Sequence, residues 1–129
     1  MENTITIKSL SDGARLTFAD LEGVSFSATM ESAHFSGHVV TSTRASGPPS
    51  LLFDEIAREW RGWEQKKQWL ALDDDLRLTA ISDRRGHIYL QVVMRDSGRP
   101  DGWRLEATLQ LEAGQLEALA QTMSEFFSI

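Results

Sequence analysis

Three histidines are the first residues whose side chains could bind a metal ion. His34 and His38 lie four positions apart in a segment with strand-like alternation, which puts them on one side of a strand, about 13 Å apart. That separation is too long for both imidazoles to bind one ion unless the chain bends at Gly37. His87 lies far away in the sequence. We therefore predict no metal site and interpret the histidines as surface residues.

Two groups of carboxylates could also do chemistry. The run Asp73–Asp75 could hold a divalent cation, but the glycine and the closing glutamate of a calcium-binding loop are absent. Asp54, Glu55 and Glu59 fall on one predicted helix, where acid–base catalysis would need a cleft that perturbs their pKa values. A helix face open to water offers no such cleft. We interpret both groups as solvated surface residues.

Motifs of nucleophilic catalysis and of phosphate binding are missing from the sequence. There is no G-x-S-x-G, no P-loop and no G-x-G-x-x-G. The chain has no cysteine, which excludes disulfides, thiolate zinc sites, iron–sulfur clusters and cysteine nucleophiles. We predict that the protein is not an enzyme and uses no cofactor.

A polar face in the second half of the chain is a better candidate for function. Arginine and tyrosine often anchor protein interfaces, and a flat mixed surface suits a protein partner better than a small molecule. An ordinary solvated sheet face has a similar composition and is the simpler alternative. The residues that we predict to bind a partner are Arg77, Tyr89, Gln91, Arg104, Glu106 and Thr108.

The elements that position these residues follow from the spacing of apolar side chains. Alternation at every second position predicts four strands in residues 1–44 and three more in residues 76–111. The segment Asp83–Gly86 has the composition of a four-residue hairpin loop. In the first group the predicted buried faces are Val24, Phe26, Ala28 and Met30, then Phe35, Gly37, Val39 and Thr41.

Two amphipathic helices are predicted, over about residues 50–62 and 113–127, with Ser50 as a capping residue. Their apolar stripes are Phe53, Ile56, Trp60 and Trp63 in the first helix, and Leu116, Leu119, Ala120, Met123 and Phe127 in the second. We expect three tryptophans in the core; for the fourth, Trp69, packing under the sheet or at its end and partial exposure are the two alternatives. The three are Trp60, Trp63 and Trp103.

The element order is therefore ββββ-α-βββ-α, within one domain spanning residues 1–129. Short connections favour antiparallel pairing, and each strand and helix has one apolar side. The simplest fold is α+β with two layers, in which an antiparallel sheet of about seven strands carries both helices on one face. The other face of the sheet is left in water.

The charge of the chain bears on its partners and location. The 129 residues contain 13 Lys and Arg against 19 Asp and Glu, a formal net charge of −6. This balance argues against a general nucleic-acid binder and fits an acidic surface that attracts a basic protein. No apolar stretch is long enough to cross a membrane and no signal peptide is visible, so we expect a cytoplasmic protein without a membrane partner.

Three pieces of the sequence resemble a family of small bacterial proteins of unassigned function. They are LLFDEIAREWRGWE (51–64), LRLTAISDRRGHIYLQVVM (76–94) and LEAGQLEALAQTMSEFF (111–127). The layout is also similar to that of the WapI-type immunity proteins, which neutralise the catalytic domain of a contact-dependent toxin. This resemblance implies an immunity role and brings no catalytic residue with it.

Our first hypothesis is a non-enzymatic, cytoplasmic protein-binding module of the immunity type, which occludes a basic toxin domain. One alternative is a self-associating domain whose homodimer builds the functional surface. Another is a small-molecule binder or enzyme with a pocket between the helices and the sheet, or at the end of the sheet near Trp63, Trp69 and His87.

Overall fold

The computed structural model describes residues 3–128, which form four strands and a helix twice in succession. Residues 1, 2 and 129, which the single-domain prediction includes, lie outside the described residues. A short 3-10 turn, Ala113–Gln115, precedes the last helix. The elements are β1 (Ile5–Lys8), β2 (Arg15–Glu22), β3 (Ser25–Glu31), β4 (Ser36–Ser42), α1 (Ser50–Arg58), β5 (Lys67–Leu70), β6 (Leu76–Ser82), β7 (His87–Arg95), β8 (Arg104–Glu112) and α2 (Leu116–Phe127).

Each group of four strands forms a separate antiparallel sheet. The strand order is β1-β2-β3-β4 in the first sheet and β5-β6-β7-β8 in the second. The α+β class and the antiparallel pairing are confirmed, but the prediction of one seven-stranded sheet is wrong. The physical reason is that β4 and β5 are joined through α1 and do not pair with each other, so each group of four consecutive strands forms its own sheet.

Strand β5 is the element that the sequence analysis missed. It is only four residues long, with the sequence KQWL, and Trp69 is its one buried side chain. Short edge strands commonly carry lysine and other polar residues because these oppose pairing with another chain. A strand of this kind shows too little apolar alternation to be recognised.

The inner side of the first sheet largely follows the predicted alternation. Phe26, Ala28 and Met30 are fully buried, and Val39 and Thr41 are buried further along. Val24 and Phe35 are exceptions, with exposed fractions of 40% and 39%. Both residues precede the strands β3 and β4 rather than belonging to them, so the alternation no longer fixes their direction.

Helix α1 is shorter than predicted, because it ends at Arg58 instead of near Gly62. Glu59 leaves the helical conformation at φ −107° and ψ 36°. Trp60 therefore leaves the apolar stripe and is 52% exposed, so its predicted place in the core is wrong. Trp63 is buried as predicted, and its Nε1 donates a hydrogen bond of 3.2 Å to the Ala80 carbonyl.

Helix α2 begins later than predicted, after the 3-10 turn. The backbone N–H of Glu112 donates to Oε1 of Gln115 at 2.9 Å, which satisfies a backbone donor at the start of the turn. The predicted stripe is buried except for Leu119, which is half-buried. Phe126 is buried as well and extends the apolar surface.

One core joins both sheets and both helices. At its centre, the Phe18 and Phe26 rings of the first sheet contact the Phe127 ring of α2 at centroid distances of 5.8 and 5.1 Å. Trp69 contacts Phe26 at 6.1 Å and its Nε1 donates to the Gly47 carbonyl at 2.8 Å. Trp69 is 3% exposed, so the alternative of partial exposure is wrong. Trp103, predicted in the core, is 45% exposed because it precedes β8.

The two sheets are also joined by polar contacts between their strands and loops. The Leu10 N–H donates to the Gln110 carbonyl at 2.9 Å, and the Thr41 hydroxyl donates to the Asp75 carboxylate at 2.6 Å. Helices α1 and α2 pack against each other, and α1 also contacts β5. The outer face of β6–β8 and the surface of the helix pair are exposed to solvent and accessible to other molecules.

Candidate protein-binding surfaces

The six residues predicted to bind a partner share the outer face of β6, β7 and β8. The strand register sets Arg77 and Glu106 on either side of Val93, and Gln91 directly opposite Thr108. Tyr89 lies one row further along this face, and Arg104 stands opposite Arg95 at its other end. The structure therefore brings the six residues onto one surface, which we call the sheet face.

The charged side chains of the sheet face already have partners. Arg77 pairs with Asp74 at 3.3 Å, and Arg104 pairs with Glu106 at 3.3 Å. Arg95 donates from Nε to the Asp74 carbonyl at 2.8 Å. These contacts reduce what the arginines offer to another protein, since a partner has to compete with the existing ion pairs.

A groove between α1 and α2 is the more concave surface. It has a volume of about 1230 Å³. From α1 and the residues after it, the lining comprises Leu51, Asp54, Glu55, Ala57, Arg58 and Trp60. From the 3-10 turn and α2, it comprises Ala113, Gly114, Glu117, Ala120, Gln121 and Ser124. We call this surface the helix groove.

Two large apolar side chains stand at the helix groove and remain open to water. Leu51 and Trp60 are each 52% exposed. The guanidinium of Arg61 lies 5.1 Å from the centre of the Trp60 ring, within the range of a cation–π contact. An exposed tryptophan and leucine in a concave site are typical of interaction surfaces, because covering them removes apolar area from water.

Acidic groups outnumber basic ones around the helix groove. Asp54, Glu55 and Glu117 line it together with one cation, Arg58. Glu55 also binds the ammonium of Lys67 at 2.7 Å, which leaves Asp54 and Glu117 as the carboxylates open to a partner. The groove therefore offers apolar anchors beside negative charge.

The sequence analysis missed the helix groove as a site. It interpreted Asp54, Glu55 and Glu59 as a solvated helix face, whereas Asp54 and Glu55 line the groove and Glu55 and Glu59 bind Lys67. Leu51 was a usable signal, because it is a large apolar residue outside the buried stripe of its helix. The early end of α1, which exposes Trp60, had no clear signal.

The histidines do not converge. His38 shares a 2.8 Å hydrogen bond with the Thr29 hydroxyl, and His87 lies 2.8 Å from the Asp83 carboxylate. His34 is exposed in the turn before β4. Across residues 3–128, no group of three or more His, Asp and Glu side chains is placed to hold a metal ion.

The aspartates of the Asp73–Asp75 run have different partners. Asp73 is exposed, Asp74 pairs with Arg77 and Arg95, and Asp75 accepts the hydrogen bond from Thr41. Asp74 and Asp75 therefore stabilise the loop before β6 and its contact with β4, which goes beyond the solvated role that we predicted.

Comparison with known proteins places the chain in a family but gives no activity. The family described as "Family of unknown function (DUF6228)" matches residues 7–129. No curated protein matches the sequence. A solved structure titled for the MRP1/MRP2 proteins of Trypanosoma brucei is similar, with a TM-score of 0.53, 11% identity, and coverage of 98% of this chain and 84% of that one. At that identity, the similarity concerns the fold alone.

No helix of the described part of the chain is long and apolar enough to cross a membrane.

The larger groove lies between two helices, whereas the sequence analysis expected a small-molecule pocket between the helices and the sheet or near Trp63, Trp69 and His87. Trp63 and Trp69 are buried instead, and they fill the space that such a pocket would need.

Proposed function

The chain belongs to this family of unknown function, and we propose that it is a protein-binding module of the immunity type, which occludes a basic protein domain. In this proposal it acts in the cytoplasm and performs no catalysis. The family carries no assigned activity, so the argument comes from the surface of the molecule itself.

The observation that carries the proposal is the exposure of Trp60 and Leu51 in the acidic helix groove. Covering these side chains removes apolar area from water, and their place in one groove lets a single partner cover both. Tryptophan is enriched among the residues that dominate binding energy at protein interfaces. The groove thus combines apolar anchors with the charged residues Asp54, Glu55, Arg58 and Glu117 of its lining.

The expected mechanism is occlusion assisted by charge. A net charge of −6 attracts a basic domain over several ångströms and raises the rate of association. The apolar anchors then slow dissociation once they are covered. Blocking the partner's surface is sufficient for inhibition, and no residue of this chain needs to react.

The sheet face is a weaker candidate for the same role. Its six residues lie together as predicted, but Arg77 and Arg104 are engaged in ion pairs within the sheet. A pocket at its edge, lined in part by Arg95 and Trp103, has a volume of about 210 Å³, against about 1230 Å³ for the helix groove. The partner-binding role of the sheet face stays a prediction that the following experiment also tests.

The test compares two tryptophans of similar exposure on different surfaces. Trp60 is 52% exposed at the helix groove, and Trp103 is 45% exposed at the start of β8. The wild-type chain, Trp60→Asp and Trp103→Asp are each purified with an affinity tag from the native host. Any protein recovered in stoichiometric amounts is identified, and its toxicity is measured in cells with and without each variant.

We expect the wild type and Trp103→Asp to retain one basic protein and to protect cells from it, and Trp60→Asp to lose both properties. Recovery of no stoichiometric basic partner would contradict the proposed function. Retention by Trp60→Asp together with loss by Trp103→Asp would place the binding surface elsewhere.

A further inference from the structure

We infer that the partner presents a basic amphipathic α-helix, which lies in the groove between α1 and α2. This inference rests on the proposed function and names the kind of segment that the groove receives. Three properties of the groove support it. Several lining side chains are small, the backbone groups of its helices are already hydrogen-bonded, and carboxylates outnumber cations.

Several residues that line the groove have small side chains. Ala57 of α1 lines it together with Ala113, Gly114 and Ala120 of the second helical segment. Small residues let another helix approach closely, because its ridge of side chains can enter the space that larger residues would fill. Leu51 and Trp60 are exposed to solvent and can pack against the apolar side of the incoming helix.

The backbone of the groove favours a helix over an extended peptide. An extended segment gains affinity mainly by pairing its own N–H and C=O groups with a free sheet edge. Within α1 and α2 these groups are bonded along the helix, so the groove walls offer no such edge. A helical partner satisfies its own backbone and contacts the groove through side chains alone.

The charge of the groove specifies basic residues on the partner. Among the residues that line the groove, the carboxylates Asp54, Glu55 and Glu117 outnumber the one cation, Arg58. Lysine or arginine flanking an apolar stripe complements this pattern.

The experiment uses designed peptides as probes. Two peptides of about 18 residues have identical leucine and lysine composition, one with a helical repeat and one with strict alternation. A third has the helical repeat with glutamate in place of lysine. Affinity for the full chain is measured by fluorescence anisotropy of the labelled peptides, and the contact surface is mapped by amide NMR shifts.

We expect the helical leucine–lysine peptide to bind at least about tenfold more tightly than either other peptide. Shift changes should concentrate in α1 and α2. Glu117→Lys and Leu51→Asp should each weaken binding by about tenfold. Glu106→Lys on the sheet face and Leu72→Asp, where the leucine is 57% exposed, are matched controls that should leave affinity unchanged.

Three results would overturn the inference: no measurable binding, equal binding of the alternating peptide, or equal loss of affinity in Glu106→Lys and Glu117→Lys. The two proposals fail in different ways. If a basic partner is captured through Trp60 but the helical peptide shows no preference, the helical segment is wrong and the proposed function stands. If the peptide binds the groove and the host yields no partner, the proposed function is wrong.

Discussion

Lys67 is the side chain that ties β5 to α1. Its ammonium donates to the Glu55 carboxylate at 2.7 Å, also contacts the Glu59 carboxylate, and lies 5.8 Å from the centre of the Trp63 ring. Hydrogen bonds to Glu55 and then to Glu59 raise the pKa of Lys67 above its usual 10.5, against the opposing effect of burial. The ammonium is therefore favoured in the folded state.

We expect Lys67→Met to lower the free energy of unfolding by about 1 kcal/mol at neutral pH, because water screens the half-exposed glutamates. Since the pKa of Lys67 is raised on folding, this stabilisation is fully present below pH 10.5 and is lost as the pH rises through the folded-state pKa. Urea unfolding at pH 7 and above pH 10.5 measures both effects. Lys66→Met is the control, and an equal loss in that variant would contradict the account.

Asp83 organises the hairpin loop between β6 and β7. Burial by itself raises the pKa of Asp83, but hydrogen bonds from the Arg85 N–H, the His87 side chain and the His87 N–H outweigh it and hold the pKa below the usual 3.8. The carboxylate is thus the form that the folded loop prefers, and the hairpin prediction for Asp83–Gly86 is confirmed.

Asp83→Ala should lower the free energy of unfolding at pH 7. The variant should still connect β6 and β7 through the same loop. Because the pKa of Asp83 is lowered on folding, its contribution is present above about pH 3.8 and disappears as the pH falls through the folded-state pKa. The difference between wild type and variant in urea unfolding should therefore shrink on acidification. Asp73→Ala, at an exposed aspartate, should show no such trend; a constant difference for Asp83→Ala would refute the explanation.

At the scale of elements, β5 has a single buried side chain. Trp69 is buried between the two sheets, contacts Phe26 and donates its Nε1 hydrogen to the Gly47 carbonyl. Trp60, which lies earlier in the sequence, is half exposed. The two residues therefore separate a packing role from a surface role.

We expect Trp69→Ala to cost about 3–5 kcal/mol of stability, as for other large buried aromatic side chains. Trp60→Ala should lower the free energy of unfolding by less than about 1 kcal/mol, because removing a half-exposed ring leaves little cavity. Chemical denaturation of both variants gives the comparison. Equal losses, or a larger loss in Trp60→Ala, would mean that the assignment of these two tryptophans is wrong.

Gly62 allows the chain to turn from α1 towards β5. Its φ of +126° lies in a region that other residues rarely adopt, and a Cβ at this position would come within 3.2 Å of the Arg84 Cα. We expect Gly62→Ala to lower stability by about 1–3 kcal/mol. Gly114→Ala is the matched control, because a Cβ there meets open space; thermal unfolding should show Gly114→Ala within about 0.5 kcal/mol of wild type. Tolerance of Gly62→Ala would contradict this reason for the turn.

The elements show which parts of the fold can be predicted from sequence. Long strands with regular alternation, such as β7 and β8, were predicted because their inner residues are apolar at every second position. Strand β5 was not, since one tryptophan among lysine, glutamine and leucine gives no period. Missing that strand gave seven strands instead of eight, whereas the division into two sheets follows from β4 and β5 not pairing, which local periodicity does not specify.

The candidate site was predictable only in part. The six sheet-face residues lie together because strand alternation fixes which side they share. The helix groove depends on how two helices distant in the sequence pack, and on the point where α1 ends. Local periodicity specifies neither the packing of the two helices nor the end of α1. Trp60 was therefore assigned to the core although it lies at the groove.

At the scale of the whole molecule, two ββββα halves share one core, and the contact between α1 and α2 joins them. The aromatic contacts of Phe18 and Phe26 with Phe127 cross from one half to the other. The helix groove therefore exists only when both halves are folded together. Because of this dependence, the helix groove is a surface that both halves build together.

Hydroxyl-radical footprinting of the chain, alone and with its captured partner, tests the central claim most directly because it reports the accessibility of individual side chains. We predict that the partner protects Trp60 and Leu51 of the helix groove and leaves the oxidation of Trp103 and Tyr89 unchanged. Protection of Tyr89 with no change at Trp60 would contradict the account and assign binding to the sheet face.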